Sequence, residues 1–140
     1  MRVLLDECTP RPLARELADV NAVHVQDLGW QGRRNGVLLA AMLAEGFTAL
    51  VTVDRNLAYQ QNIPSSGIAV IVLCAPRNQL RDLRPLLPEV RQVLASAVPG
   101  EVYLVGGWRR LLRTTAPTYR ADVGIRQCRC RRTRFVEAVE

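Results

Sequence analysis

Three apolar runs in this chain each stop on an acid. "RVLLD" ends at Asp6 and is followed by Glu7, "AVHVQD" ends at Asp27, and "TALVTVD" ends at Asp54. Two amides accompany them: Asn35 opens "NGVLLAAMLAEG", and Asn56 stands two residues beyond Asp54. Carboxylates gathered without matching cationic side chains repel one another, and a bound cation relieves that repulsion. Mg²⁺ or Mn²⁺ suits the task, because hard cations prefer oxygen ligands and keep several waters on an open edge. Such a cation polarises a phosphodiester and lowers the pKa of an attacking water, the basis of metal-dependent nuclease chemistry. Asp6 and Asp54 are the candidate catalytic and metal-binding pair, Asn35 and Asn56 the candidate amide ligands, and Glu7 and Asp27 the additional acids.

Each of these residues also has a purely structural use. Asp54 can cap a short helix beginning at Arg55, Asn35 can cap the helix it opens, and Asp27 can begin a turn at "DLGW".

Whether the acids meet depends on the elements that carry them. "RVLLD" reads as a strand, and in "CTPRPLARELADV" Thr9 can cap a helix with Pro10 in its first turn. "AVHVQD" alternates like a second strand and is followed by the glycine-bearing loop "LGWQGRR". "NGVLLAAMLAEG" is dense enough in apolar residues for a buried helix and closes on Gly46. "TALVTVD" and "IAVIVLC" are apolar on both faces, as parallel strands covered by helices are. "NQLRDLRPLLPEVRQVLASAV" predicts one kinked or two short helices, broken at Pro85 and Pro88, before a fifth strand at "EVYLV". This order predicts an α/β fold of three layers around a mainly parallel five-stranded sheet with right-handed crossovers. In such a sheet the carboxyl ends of the strands share one edge, where ligands bind. Asp6, Glu7, Asp27 and Asp54 then fall on that edge.

With 140 residues, 49% of them hydrophobic, the chain has enough material for one packed domain, expected over 1–107. No run of about 18 apolar residues occurs, so a membrane span is not expected, and no signal peptide is read at the N-terminus. A cytoplasmic location follows as the expectation. The net charge of +6 is unevenly placed: residues 1–108 hold ten Arg and ten acids, whereas residues 109–140 hold nine Arg and three acids. The segment 108–140 is read as an Arg-rich extension, poorly ordered, with a basic arm for nucleic acid as the rival reading. Cys8, Cys74, Cys128 and Cys130 fit neither a zinc pattern nor a dense disulfide framework and are expected reduced.

His24 is the single histidine and lies inside the second strand, which leaves no Ser/His/Asp or Cys/His set for triad chemistry. No glycine-rich nucleotide-cradling motif occurs. Trp30, Arg33 and Arg34, in the loop after the second strand, are candidates to stack a base and hold phosphates on single-stranded RNA, with Arg55 as a further RNA contact.

Taken in order, "VLLDECTPRPLARELA", "VQDLGWQGRRNGVLLAAMLAEGF", "LVTVDRNLAYQQN" and "IAVIVLCAPRNQL" resemble the PIN-like fold, specifically the small VapC-like toxin ribonucleases and their shortened bacterial relatives. The likeness covers about residues 1–105. It implies a Mg²⁺-dependent endoribonuclease, often encoded beside a small antitoxin protein that neutralises it and often dimeric. Asp6 matches the family's first-strand acid and Asp54 the acid of its "TxD" motif, here "TVD". Asn35 and Asn56 stand where many relatives carry acids, which weakens the implied metal site. The second reading is therefore a PIN-like module that has lost catalysis and binds RNA or a protein partner. A receiver-like signalling domain would also place acids after its first and third strands. It needs a Lys after the fifth strand, however, and the chain has none.

Overall fold

A computed structural model of the chain describes residues 1–59 and 63–106. The Arg-rich extension at 108–140 lies outside the described residues.

Five strands form one all-parallel sheet: β1 Val3–Leu5, β2 Ala22–His24, β3 Ala49–Thr52, β4 Ala69–Cys74 and β5 Val102–Gly106. Their order is β2-β1-β3-β4-β5, with Leu5 paired to His24 on one side and to Val51 on the other. The helices are α1 Leu13–Glu16, α2 Asn35–Ala44, α3 Ile63–Ser66, α4 Leu80–Leu83 and α5 Leu87–Ser96. Strand alternation divides the core between the two faces of the sheet. Val3, Leu5, Val51, Ile71, Leu73 and Val105 face Leu13 and Leu17 near α1 and Leu83, Leu87, Val90 and Leu94 of α4 and α5. Leu4, Leu50, Val70 and Val72 face Leu38, Leu39 and Met42 of α2 and Ile63 of α3. The three layers are therefore present, and each fully buried Leu, Ile or Val contributes about 1.5–3 kcal/mol.

Two expectations need correction. The first helix does not start at Thr9 and Pro10: the tight i to i−3 bonds Leu13 N–H to Pro10 O, Ala14 N–H to Arg11 O and Arg15 N–H to Pro12 O delay α1 to Leu13. Thr9 is buried, and its hydroxyl donates to Asp6 O instead of capping. Nor do all crossovers share a hand. β2-α2-β3, β3-α3-β4 and β4-α5-β5 step the same way along the sheet, but α5 packs on the face opposite to α2 and α3. The last crossover therefore has the opposite hand to the two before it. Its physical reason lies in coverage, since α1 is only four residues long and cannot shield its face alone. The helical run from Leu80 to Ser96 fills that face and is fastened to the α1 segment by Arg84–Glu16 and Arg91–Asp19 ion pairs at 2.7 and 2.8 Å.

Elsewhere the expected elements form. Pro85 and Pro88 sit in the first turns of successive helical pieces, so the predicted kink is a 3-10 segment, Arg84–Leu86, between α4 and α5. Gly46, at φ 74°, closes α2 with Phe47 N–H bonded to Met42 O and Gly46 N–H to Leu43 O, the paired bonds of a Schellman cap.

Gly100 and Gly36 make opposite tests of this packing. Gly100 has φ +83°, and a Cβ there would lie 2.6 Å from Pro64 O, whereas Gly36, in the first turn of α2, has open space around it. Gly100→Ala is expected to lower stability by about 2–3 kcal/mol and Gly36→Ala to raise it by about 0.5–1 kcal/mol. Urea denaturation midpoints read both; equal responses would contradict the packing described.

Candidate functional site

Strand order puts β1 beside β3, at the point where the chain reverses its direction of growth across the sheet. Ligand sites of open α/β sheets lie at such points, at the carboxyl ends of the strands. Asp6 and Asp54 follow these two strands. The ladder continues one residue past β1, with Asp6 N–H bonded to Val51 O at 3.0 Å, which holds Asp6 against β3. Thr52, fully buried at the end of β3, donates its hydroxyl proton to Asp6 Oδ2 at 2.9 Å and accepts the Asp54 N–H at 3.0 Å. One hydroxyl thus joins the first carboxylate to the backbone of the second.

Asp54 is also a cap. Its Oδ1 accepts the Asn56 N–H at 2.8 Å and its carbonyl the Leu57 N–H at 3.3 Å, starting the 3-10 segment Arg55–Tyr59. Both half-buried carboxylates are held in place by main chain or buried side chain, since Asp6 Oδ1 accepts the Glu7 N–H at 2.9 Å.

The four residues Asp6 to Thr9 each bond to a different element. Asp6 meets Thr52; Glu7 Oε2 accepts the Gly32 N–H at 2.9 Å; Cys8 O accepts from Asn78 Nδ2; and Thr9 O lies 3.0 Å from His24 Nε2. Because His24 Nδ1 accepts the Gln26 N–H, its Nε2 is the nitrogen that donates to Thr9 O, so the buried imidazole is a tie between loops. The segment after β1 therefore gathers the loops that follow β2, β3 and β4.

The remaining candidates divide. β2 ends at His24, so Asp27 lies in a 3-10 turn, Val25–Leu28, where its Oδ1 accepts Arg11 Nε at 2.9 Å. Its charge is neutralised there. Asn35 is the first residue of α2 and half-buried, with Arg34 at the cap position, and Asn56 is exposed. The Trp30 ring packs edge-on against Phe47 at 6.0 Å, with the Arg33 guanidinium 4.8 Å from its centroid. Phe47 belongs to the core on the α2 face, so the indole has a packing role there, while Arg33 and Arg34 are exposed.

Electrostatics mark the same place. The ion pairs among the described residues engage Asp27, Asp82, Glu16 and Asp19, and none engages Asp6, Glu7 or Asp54. Partial burial, followed by the charges of Asp6, Asp54 and Glu7, pushes the Cys8 thiol above its ordinary value. Among the described residues no three His, Cys, Asp or Glu side chains converge into a ready metal cage. A cation here would draw on the Asp6 and Asp54 carboxylates, whose hydrogen-bonded oxygens keep a second lone pair, with water completing its shell.

Thr52 and Asn78 were not among the sequence candidates. A threonine between valines in a strand carries no functional signal by itself, since β-branched residues fill strands for packing reasons. Compared with protein-family models, with curated proteins and with solved structures, the chain matches none.

Thr52→Val keeps the shape of the side chain and removes the hydroxyl, leaving the Asp54 N–H unsatisfied. It is expected to cost about 1–2 kcal/mol in chemical denaturation. Asp6→Asn and Asp54→Asn remove charges that hold the Cys8 thiol up, so both are expected to speed its alkylation at pH 8 by roughly twofold or more, read by peptide mapping. Unchanged Cys8 reactivity in both would contradict the proximity described.

Proposed function

We propose that the carboxyl edge of β1 and β3 is the site of a metal-dependent ribonuclease of the PIN-like, VapC-like type, cleaving phosphodiester bonds of RNA. The observation that supports it is the Thr52 joint, which orients Asp6 and fixes Asp54 beside it with no cationic partner for either carboxylate among the described residues. The donor set is oxygen only, which fits Mg²⁺ or Mn²⁺. When bound, the cation would polarise the scissile phosphate and acidify the attacking water.

The chain's own residues have separate tasks in this reading. Thr52 and the Glu7 N–H hold the Asp6 carboxylate in one orientation, and the Asn56 N–H does the same for Asp54. Their geometry is set before substrate arrives, which lowers the ordering needed on binding. Arg55, Arg33 and Arg34 supply positive charge for the RNA backbone. The family resemblance extends the proposal to a small neutralising protein or a second copy of the chain. The outer face of the uncharged helix α2, with Val37 and Leu43 more than half exposed, offers apolar surface for such a partner.

Asn35 and Asn56 favour a second reading, in which the domain binds RNA without cutting it. The receiver-like reading shares the strand order and the acids but fails on chemistry. β5 ends at Gly106, no Lys exists to contact a phosphoryl group, and Cys74 and Ala75 stand where a hydroxyl is needed after β4.

Cleavage of a labelled single-stranded RNA in Mn²⁺ or Mg²⁺ is the test. Asp54→Asn is expected to lower the rate by roughly 100-fold or more, and chelation to abolish it. Calorimetry should show cation binding that weakens in Asp6→Asn. Wild-type protein that binds RNA yet cuts no faster than Asp54→Asn would establish the second reading and overturn the first.

A further inference from the structure

Beside the carboxylates, where β3 and β4 leave the sheet, lies a cleft of about 130 Å³ lined by Val53, Arg55, Leu73, Ala75, Pro76, Arg77 and Asn78. One wall is apolar and continuous with the core on the α5 face, to which Leu73, Val53 and Ala75 belong. The polar lining residues are Arg55, Arg77 and Asn78. The cleft is tied to the carboxylate edge twice: Arg55 directly follows Asp54, and Asn78 donates to the carbonyl of Cys8, two residues from Asp6.

Size and charge select the occupant. A water takes about 30 Å³ of liquid volume, so the cleft displaces roughly four waters, the space of one tetrahedral oxyanion group. Whole small-molecule ligands ordinarily need several hundred Å³. Arginine is suited to phosphate because its planar fork donates two parallel hydrogen bonds to paired oxygens. Arg77 is exposed and enters no ion pair among the described residues, and no acid lies between Ala75 and Gln79. The apolar wall of Val53, Ala75 and Pro76 would lie against the sugar attached to that phosphate.

We propose that this cleft is a phosphate subsite, in which Arg77 seats a phosphodiester neighbouring the one presented to Asp6 and Asp54. The substrate it selects is a single-stranded polynucleotide running across the carboxyl ends of β3 and β4, and not a mononucleotide. The inference rests on the reading of the carboxylate edge as a phosphodiester site.

Its test is binding by the full chain, in chelator, of a labelled single-stranded RNA of about ten nucleotides, followed by fluorescence anisotropy across a range of salt. Arg77→Ala is expected to weaken binding about fivefold and to flatten the slope of log K against log salt by about 0.7, the share of one phosphate contact on a single strand. Arg81→Ala, an exposed arginine of α4 outside the cleft, is expected to change neither. Arg77 is exposed, so its removal should leave the melting temperature in place. Equal effects of the two substitutions, or no effect of Arg77→Ala, would overturn the subsite. Loss of the catalytic reading alone would appear differently, as an intact Arg77 effect on binding in a wild-type protein that does not cut RNA.

Discussion

The structure of the candidate site depends on one buried hydroxyl. Thr52 closes β3 between two hydrophobic layers and has no access to water, so each of its hydrogen bonds must be made within the protein. It donates to Asp6 and accepts from the main chain of Asp54. That pairing requires β1 and β3 to be neighbours in the register that sets Leu5 beside Val51, which carries Asp6 to the level of Thr52. The sheet order, the length of β1 and the direction of the Asp6 carboxylate are thus parts of one constraint.

Around that joint the protein treats its acids in two ways. Asp19, Glu16 and Asp27 lie on the outside and are paired with arginines that fasten helix to helix or loop to loop. Asp6, Glu7 and Asp54 are held by hydrogen bonds from main-chain N–H groups and Thr52, which orient a carboxylate without cancelling its charge. The four residues after β1 also draw in the loops from β2, β3 and β4, so the edge is braced on every side while its negative field persists. The Cys8 thiol, raised first by partial burial, is raised further by that field.

Much of this was legible in the chain. Uninterrupted Val, Leu and Ile runs identify strands buried on both faces, and Asp6 stood out because an acid closing such a run has few structural uses. What depended on distant pairing was not legible. Asp27 looked like a third edge acid because "AVHVQD" alternates to its end, yet His24 turns inward to bind Thr9 O and Gln26 N–H, and the strand stops there. The change of face at the last crossover could not be read locally either, since it follows from how little of one face α1 covers. Thr52 and Asn78 were invisible for the same reason: the Asp6 carboxylate that Thr52 meets and the Cys8 carbonyl that Asn78 meets are 46 and 70 residues away.

The central claim is that Asp6 and Asp54 form one cation-binding edge. It is tested most directly by anomalous diffraction from crystals soaked in Mn²⁺. The expected result is a single strong peak bounded by the Asp6 and Asp54 carboxylates, lost in Asp54→Asn. A saturating soak that leaves this edge bare, or that places Mn²⁺ only at other acids such as Asp82, would contradict it.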